Sequence, residues 1–103
     1  NQHLDEGVLQ TLIDRGQVLR LNESVLCSKE SYTWISQSIL RRFAEQPTLT
    51  VADVRDLLQT SRKYAIAILE YMDQLHITRR MGDDRILMDQ RMLDDPTLKK
   101  EDP

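Results

Sequence analysis

Cysteine is nearly absent: Cys27 stands alone among 103 residues, so no internal disulfide can form and a reducing compartment is the natural setting. Histidine occurs only at His3 and His76, without partners at metal or triad spacing, so neither a zinc cluster nor a nucleophilic triad can be assembled. The glycines are isolated at 7, 16 and 82, which leaves no glycine-rich phosphate loop. No apolar run approaches the ~18–20 residues that span a bilayer, and no signal peptide opens the sequence. These absences exclude a membrane protein and a disulfide-stapled secreted domain. The expected location is cytoplasmic, and no pattern of residues supports catalysis.

An excess of positive charge is lacking too, with 14 basic against 17 acidic residues and a formal charge of −3. Taken whole, that balance argues weakly against nucleic acid. Its distribution matters more. Residues 1–30 carry 3 basic and 5 acidic side chains, 31–60 carry 3 and 3, 61–88 carry 5 and 4, and 89–103 carry 3 and 5. Only the third segment is net positive, through Arg62, Lys63, Arg79, Arg80 and Arg85.

What is present is helical periodicity interrupted by short hairpins. Leu4, Val8, Leu9, Leu12 and Ile13 recur at spacings of three and four, and Gly16 ends that helix as a C-cap glycine would. A hairpin follows, with strands Gln17–Leu21 and Ser24–Cys27 around Asn22–Glu23; Cys27 reads as a small buried hydrophobe. These 27 residues hold too little apolar area to stand alone, so their other half is expected upstream. After a polar joint at Ser28–Ser31, a second helix is predicted from Tyr32 to Gln46. It buries Ile35, Ile39 and Phe43, with Leu40 and one face of Trp34 beside them, and Pro47 ends it. Thr50, with Asp53 three residues on, resembles a capping box and opens a short helix burying Val51, Val54, Leu57 and Leu58. A longer helix over Arg62–Leu75 turns Ala65, Leu69 and Met72 inward, with Tyr64, Ile68, Tyr71 and Leu75 in the adjacent row. Ile77–Arg80 and Arg85–Met88 form a closing hairpin around Met81–Asp84, and the remaining residues are expected to fray.

Helix, short strand, helix, helix, hairpin is the order of a winged helix-turn-helix, a mainly α fold with small β (α+β). Sliding the N-terminal piece by 60 places lays Leu9 on Leu69, Leu12 on Met72 and Arg20 on Arg80. After a one-residue gap in the turn it lays Val25–Leu26 on Ile86–Leu87. The expected organisation is therefore 1–28 as the helix and wing of a preceding copy, 29–90 as a complete winged helix, and 91–103 as a flexible tail. Trp34 is expected to cover the seam between the copies.

The residues that carry chemistry are Thr60–Tyr64 and Thr78–Arg85. The first turn of the third helix of a winged helix offers free N–H groups and the positive end of the helix dipole. Ser61, Arg62 and Lys63 sit there, shaped for a phosphate. Across the wing, Arg80 and Arg85 are expected to face one another, a repulsion that an anion between them would relieve. The plainer alternative is a solvated surface in which these arginines pair with Asp73, Asp83 and Asp84. Arg55 either reaches the same edge or pairs locally with Asp56, and Tyr64 either stacks on a base or packs in the core. Past Lys63 the helix turns apolar, leaving few side chains to read a B-DNA major groove. Reach concentrated at a helix start and a wing suits structured RNA, whose deep groove excludes a helix.

The runs R-D-L-L-Q-T-S-R-K-Y-A-I-A-I-L-E-Y-M-D (Arg55–Asp73) and I-T-R-R-M-G-D-D-R-I-L (Ile77–Leu87) closely resemble the last winged helix of the bacterial selenocysteine-specific translation elongation factors. Val54 stands where that family's pattern leads us to expect an aromatic, and the wing turn is more acidic than a basic variant. The resemblance implies a module that binds an mRNA hairpin, the selenocysteine insertion element (SECIS), and so recruits selenocysteinyl-tRNA to UGA codons on the ribosome. The GTPase, with its GTP and magnesium, belongs to the full-length factor, so this stretch is expected to be a monomer without cofactor or enzyme activity. The RNA-binding positions carried over are Arg55, Ser61, Arg62, Lys63, Tyr64, Thr78, Arg79, Arg80 and Arg85. About six phosphate contacts would weaken binding roughly a thousandfold between 50 and 200 mM salt. Two rivals use the same fold: a dimeric DNA-binding transcription regulator and a protein-interaction module.

Overall fold

The computed structural model describes residues 6–94. His3, Leu4 and the segment 95–103 lie outside the described residues, as do the side chains of Val8 and Leu9. In chain order the elements are α1 (Glu6–Asp14), β1 (Val18–Asn22), β2 (Val25–Ser28), α2 (Lys29–Glu45), β3 (Thr48–Thr50), α3 (Val51–Leu58), α4 (Arg62–Gln74), β4 (Thr78–Met81) and β5 (Asp84–Leu87). A 3-10 turn, Gln90–Asp94, follows.

Local chemistry sets the boundaries. The Thr50 hydroxyl accepts from the Asp53 N–H at 3.0 Å while the Asp53 carboxylate accepts from the Thr50 N–H at 3.0 Å, a complete capping box at the start of α3. Gln59, left-handed at φ 53°, ends that helix. The Ser61 hydroxyl accepts from the Tyr64 N–H and opens α4 two residues later. On α2 the predicted stripe of Ile35, Ile39 and Phe43 is buried. It packs with Val54 of α3, Leu49 of β3 and Ala65, Ile68, Leu69 and Met72 of α4 into one core, which Leu21, Val25 and Cys27 join from the first hairpin.

Several expectations are corrected. The helix expected from Tyr32 begins at Lys29, because the Ser28 hydroxyl accepts from the Ser31 N–H at 3.0 Å; the polar joint is its first turn. Trp34 covers no seam: it points to solvent, 57% exposed, on the face of α2 opposite the buried stripe. Tyr32 and Tyr71 meet edge-to-face instead, with centroids 5.2 Å apart. Leu75 leaves the inward row and is exposed, since α4 ends at Gln74 and the chain turns away through His76 at φ 62°. Residues 90–94 are not frayed: Met92 and Leu93 carry the 3-10 turn against the core.

Two sheets result. β1 and β2 form an antiparallel pair, and β3, β5 and β4 form a three-stranded sheet in that order, so the short piece before α3 joins the wing. The repeat is visible in hydrogen bonds. Arg15 to Thr11, Gly16 to Ile13 and Gln17 to Leu12 recur, 60 residues on, as Leu75 to Tyr71, His76 to Asp73 and Ile77 to Met72. The strand alignment shifts, however. Arg20 pairs with Leu26 as Arg80 pairs with Arg85, which lays Val25–Leu26 on Asp84–Arg85 and not on Ile86–Leu87. An irregularity between Arg20 and Asn22 absorbs the difference. β1 lies against α4, and the Asn22 amide donates to Glu70 at 3.3 Å, so the first hairpin is seated directly on the helix of the second copy.

Candidate nucleic-acid interface

The start of α4 and the wing β4–β5 flank a groove of about 470 Å³. Arg62, Ile66 and Glu70 line it from α4, Arg80, Asp83 and Arg85 from the wing, and Thr50, Val51 and Ala52 from the start of α3. Successive turns of α4 supply its wall because positions 62, 66 and 70 fall on one face. Arg62, Lys63 and Arg79 are exposed, and their side chains have no hydrogen-bond or ion-pair partner among the described residues. Arg80 is also exposed, its Nε donating to the Gly82 carbonyl at 2.9 Å, and its charge has no counter-ion among the described residues. Gly82, at φ 66°, makes the tight turn that brings Met81 opposite Asp84. The result is a ledge of four accessible cations, of which Arg62 and Arg80 line the groove, while Lys63 lies next along the first turn of α4 and Arg79 on the other face of β4.

The other five expected site residues are placed differently. Arg85 does lie opposite Arg80 in register, but its side chain is buried and forks onto Asp73 of α4, with Nη2 to Oδ2 at 2.9 Å. Asp73 already relieves the repulsion that an external anion was expected to relieve. Thr78 is 2% exposed and donates to Asp73 Oδ1 at 2.6 Å, so it faces inward and cannot be a surface contact. Tyr64 takes the core alternative: it is half-buried against the apolar cluster. Burial, with the Cys27 thiol as a lesser cause, pushes its phenol up to about 12. Arg55 takes the local alternative, with Nε 3.1 Å from Asp56 Oδ1, and does not line the groove. Ser61 stands at the ledge with its oxygen engaged by the Tyr64 N–H; its own proton is left to donate outward. Asp73 entered the sequence analysis only in the plainer alternative, and for Arg85 that alternative holds. Its signal was the alternative pairing for the wing arginines, and only the fold shows which arginine takes it.

A helix-turn-helix backed by a β wing, with free cations on the helix start and the wing, defines a winged-helix module of the nucleic-acid-binding type. A family model described as "Elongation factor SelB, winged helix" matches residues 41–87. The selenocysteine-specific elongation factor of Desulfomicrobium baculatum is 31% identical over 78 residues, 76% of this chain and 12% of that protein. The one of Escherichia coli K12 is 55% identical over 38 residues, 37% of this chain and 6% of that protein. Among solved structures, the mRNA-binding domain of elongation factor SelB from E. coli, in complex with SECIS RNA, superposes with a TM-score of 0.69 at 30% identity. That match covers 79% of this chain and 67% of that one. The chain belongs to the SelB family of selenocysteine-specific elongation factors, as a C-terminal winged-helix fragment. It spans only about an eighth or less of the length of the two full-length relatives.

Proposed function

We propose that this chain binds a folded mRNA hairpin of the selenocysteine insertion type and acts by binding alone. Catalysis and the GTP and magnesium it needs lie elsewhere in the full-length factor. The observation that carries this reading is the ledge: Arg62, Lys63, Arg79 and Arg80 are accessible and have no counter-ion among the described residues, although the chain as a whole is acidic. Like charges gathered at one edge without counter-ions repel one another, whereas a local positive edge draws phosphates. The E. coli relative captured with SECIS RNA supplies the ligand class. In this reading residues 29–90 are the binding unit, residues 1–28 close a preceding copy, and the factor as a whole is brought to a UGA codon with its selenocysteinyl-tRNA, on cytoplasmic ribosomes.

Electrostatics supplies the grip and the groove supplies the choice, because phosphate contacts alone do not distinguish sequences. Reducing the accessible cations from six to four lowers the expected salt effect to roughly a hundredfold loss of affinity between 50 and 200 mM. The test is titration of a bulged hairpin RNA, taken from downstream of a selenocysteine UGA codon, against duplex DNA and an unstructured RNA of equal length. Tightest binding to the hairpin with that salt dependence is expected. Preference for the duplex would favour the DNA-binding rival, and near-indifference to salt would refute the ledge as the contact.

A further inference from the structure

Asp73 belongs to none of the contacts proposed above, yet it organises the wing. Its Oδ1 accepts the Thr78 hydroxyl, and both its oxygens accept from Arg85 Nε or Nη2 at 2.9–3.3 Å. Thr78 is 2% and Arg85 5% exposed, while 26% of the Asp73 side chain remains accessible. With Nε and Nη2 turned to Asp73, Arg85 Nη1 makes no hydrogen bond among the described residues. The residue nevertheless lines the groove. A guanidinium gripped along one edge by a carboxylate has its plane fixed, so the donors on its other edge point in a defined direction.

The first copy shows that this polar trio is not needed to join a helix to its hairpin. By cap hydrogen bonds, Asp73 corresponds to Ile13; by the same 60-residue offset, Thr78 corresponds to Val18; by cross-strand partner, Arg85 corresponds to Leu26. All three equivalents are apolar. A buried ion pair generally stabilises no better than well-packed apolar residues of similar volume. A polar trio in one copy against an apolar trio in the other therefore calls for a role beyond attachment.

We infer that Asp73 and Thr78 are positioning residues which hold Arg85 as an oriented guanidinium on the floor of the ledge groove, where Nη1 takes an acceptor oxygen of the RNA. Thr78 fixes the carboxylate, the carboxylate fixes the guanidinium, and the guanidinium meets the ligand. The inference rests on the RNA-binding reading, and its test separates the two.

The decisive variant transplants the first copy's solution: Asp73→Ile, Thr78→Val and Arg85→Leu together. It is expected to melt no lower than the wild type and to bind the same hairpin RNA about tenfold or more weakly, the scale of a lost charged hydrogen bond. Its salt slope distinguishes the acceptor: a slope reduced by about one marks a phosphate, an unchanged slope a base oxygen. A purely structural trio predicts wild-type affinity in this variant, and that result would overturn the inference. If the triple variant does not fold, Arg85→Lys decides. It keeps the charge and loses the fork, and affinity within twofold of wild type would equally sink the idea. Arg62→Gln and Arg80→Gln serve as controls for the ledge. If both weaken binding while the triple variant does not, only this inference fails; if the wild type does not prefer the hairpin, the functional reading fails and takes the inference with it.

Discussion

The chain builds one helix-and-hairpin unit twice and gives the two copies opposite chemistry. In the first, α1, Gly16 and β1–β2 leave Arg20 as the one exposed cation of the hairpin strands, with Glu23 in the turn between them. In the second, α4, His76 and β4–β5 present exposed Arg62 and Lys63 at the helix start and Arg79 and Arg80 on the wing, with Arg62 and Arg80 across one groove. The same hydrogen bonds close both helices, so the backbone plan does not distinguish a spacer from a binding edge. Side chains at a few equivalent positions do. The first hairpin also has its outward freedom reduced, since β1 packs on α4 and Asn22 is tied to Glu70.

The sharpest way to break that comparison is to reverse charge in each copy. Lys63→Glu with Arg80→Glu removes two attractive contacts and adds two repulsive ones, and is expected to weaken hairpin binding by at least about a hundredfold at 100 mM salt. Arg20→Glu, the equivalent change in the first copy, is expected to alter it less than about threefold. Fluorescence anisotropy with a labelled hairpin measures both. Equal losses would mean that the first hairpin is also a binding edge.

The second contrast concerns stability. Arg85→Ala leaves Asp73 and Thr78 facing a vacated site, and is expected to destabilise the fold by about 2 kcal/mol, below the range for fully buried pairs because water reaches Asp73. Leu26→Ala, half-buried at the matching position, is expected to cost about 1 kcal/mol. Urea unfolding of the two variants gives both values. A larger loss for Leu26→Ala would show that the apolar copy holds its wing more firmly than the charged one.

The sequence made the scaffold legible and the site only half so, for a physical reason. Ile35, Ile39 and Phe43 announce α2 through spacing alone, and Thr50 with Asp53 announces α3 through a local hydrogen-bond pattern; both signals span fewer than ten residues. The ledge cations Arg62, Lys63, Arg79 and Arg80 were legible for the same reason. Arg85 was not. Its neighbours in sequence place it opposite Arg80 and offer Asp73, Asp83 and Asp84 alike as partners; that Asp73, twelve residues back on another element, takes Arg85 into a buried pair is decided by the fold. Tyr64 follows the helical periodicity that set it beside the inward row; what periodicity within one helix cannot reveal is that Cys27 of the first hairpin is among its neighbours.

Burial of two tyrosines bears on stability at alkaline pH. Burial raises the Tyr32 and Tyr64 phenols from 10.0 to about 12. Between those values the unfolded chain has released protons that the folded chain still holds, so the contribution of these two phenols is fully present below pH 10 and is lost as pH rises toward 12. Tyr32→Phe with Tyr64→Phe is expected to flatten that decline in a series of thermal melts. Tyr32→Phe alone is expected to leave stability at pH 7 equal or slightly higher, because the hydroxyl it removes is buried without a partner. A decline as steep as the wild type's in the double variant would assign the alkaline loss to other groups.

The smallest expected effect tests whether the two copies tolerate strain differently. Both helices end on a left-handed residue, Gly16 at φ 74° and His76 at φ 62°. Glycine adopts that conformation freely, whereas a side chain at positive φ costs about 1 kcal/mol. His76→Gly is therefore expected to change stability by between zero and about +1 kcal/mol, the relieved strain being offset in part by the freer unfolded chain. Gly16→Ala is expected to lose about 1 kcal/mol through the backbone alone, since no atom lies within 4 Å of the added methyl. If His76→Gly instead weakens hairpin binding while raising stability, the strain at His76 helps set the angle of the wing, and the second copy has exchanged a little stability for the placement of Arg79 and Arg80.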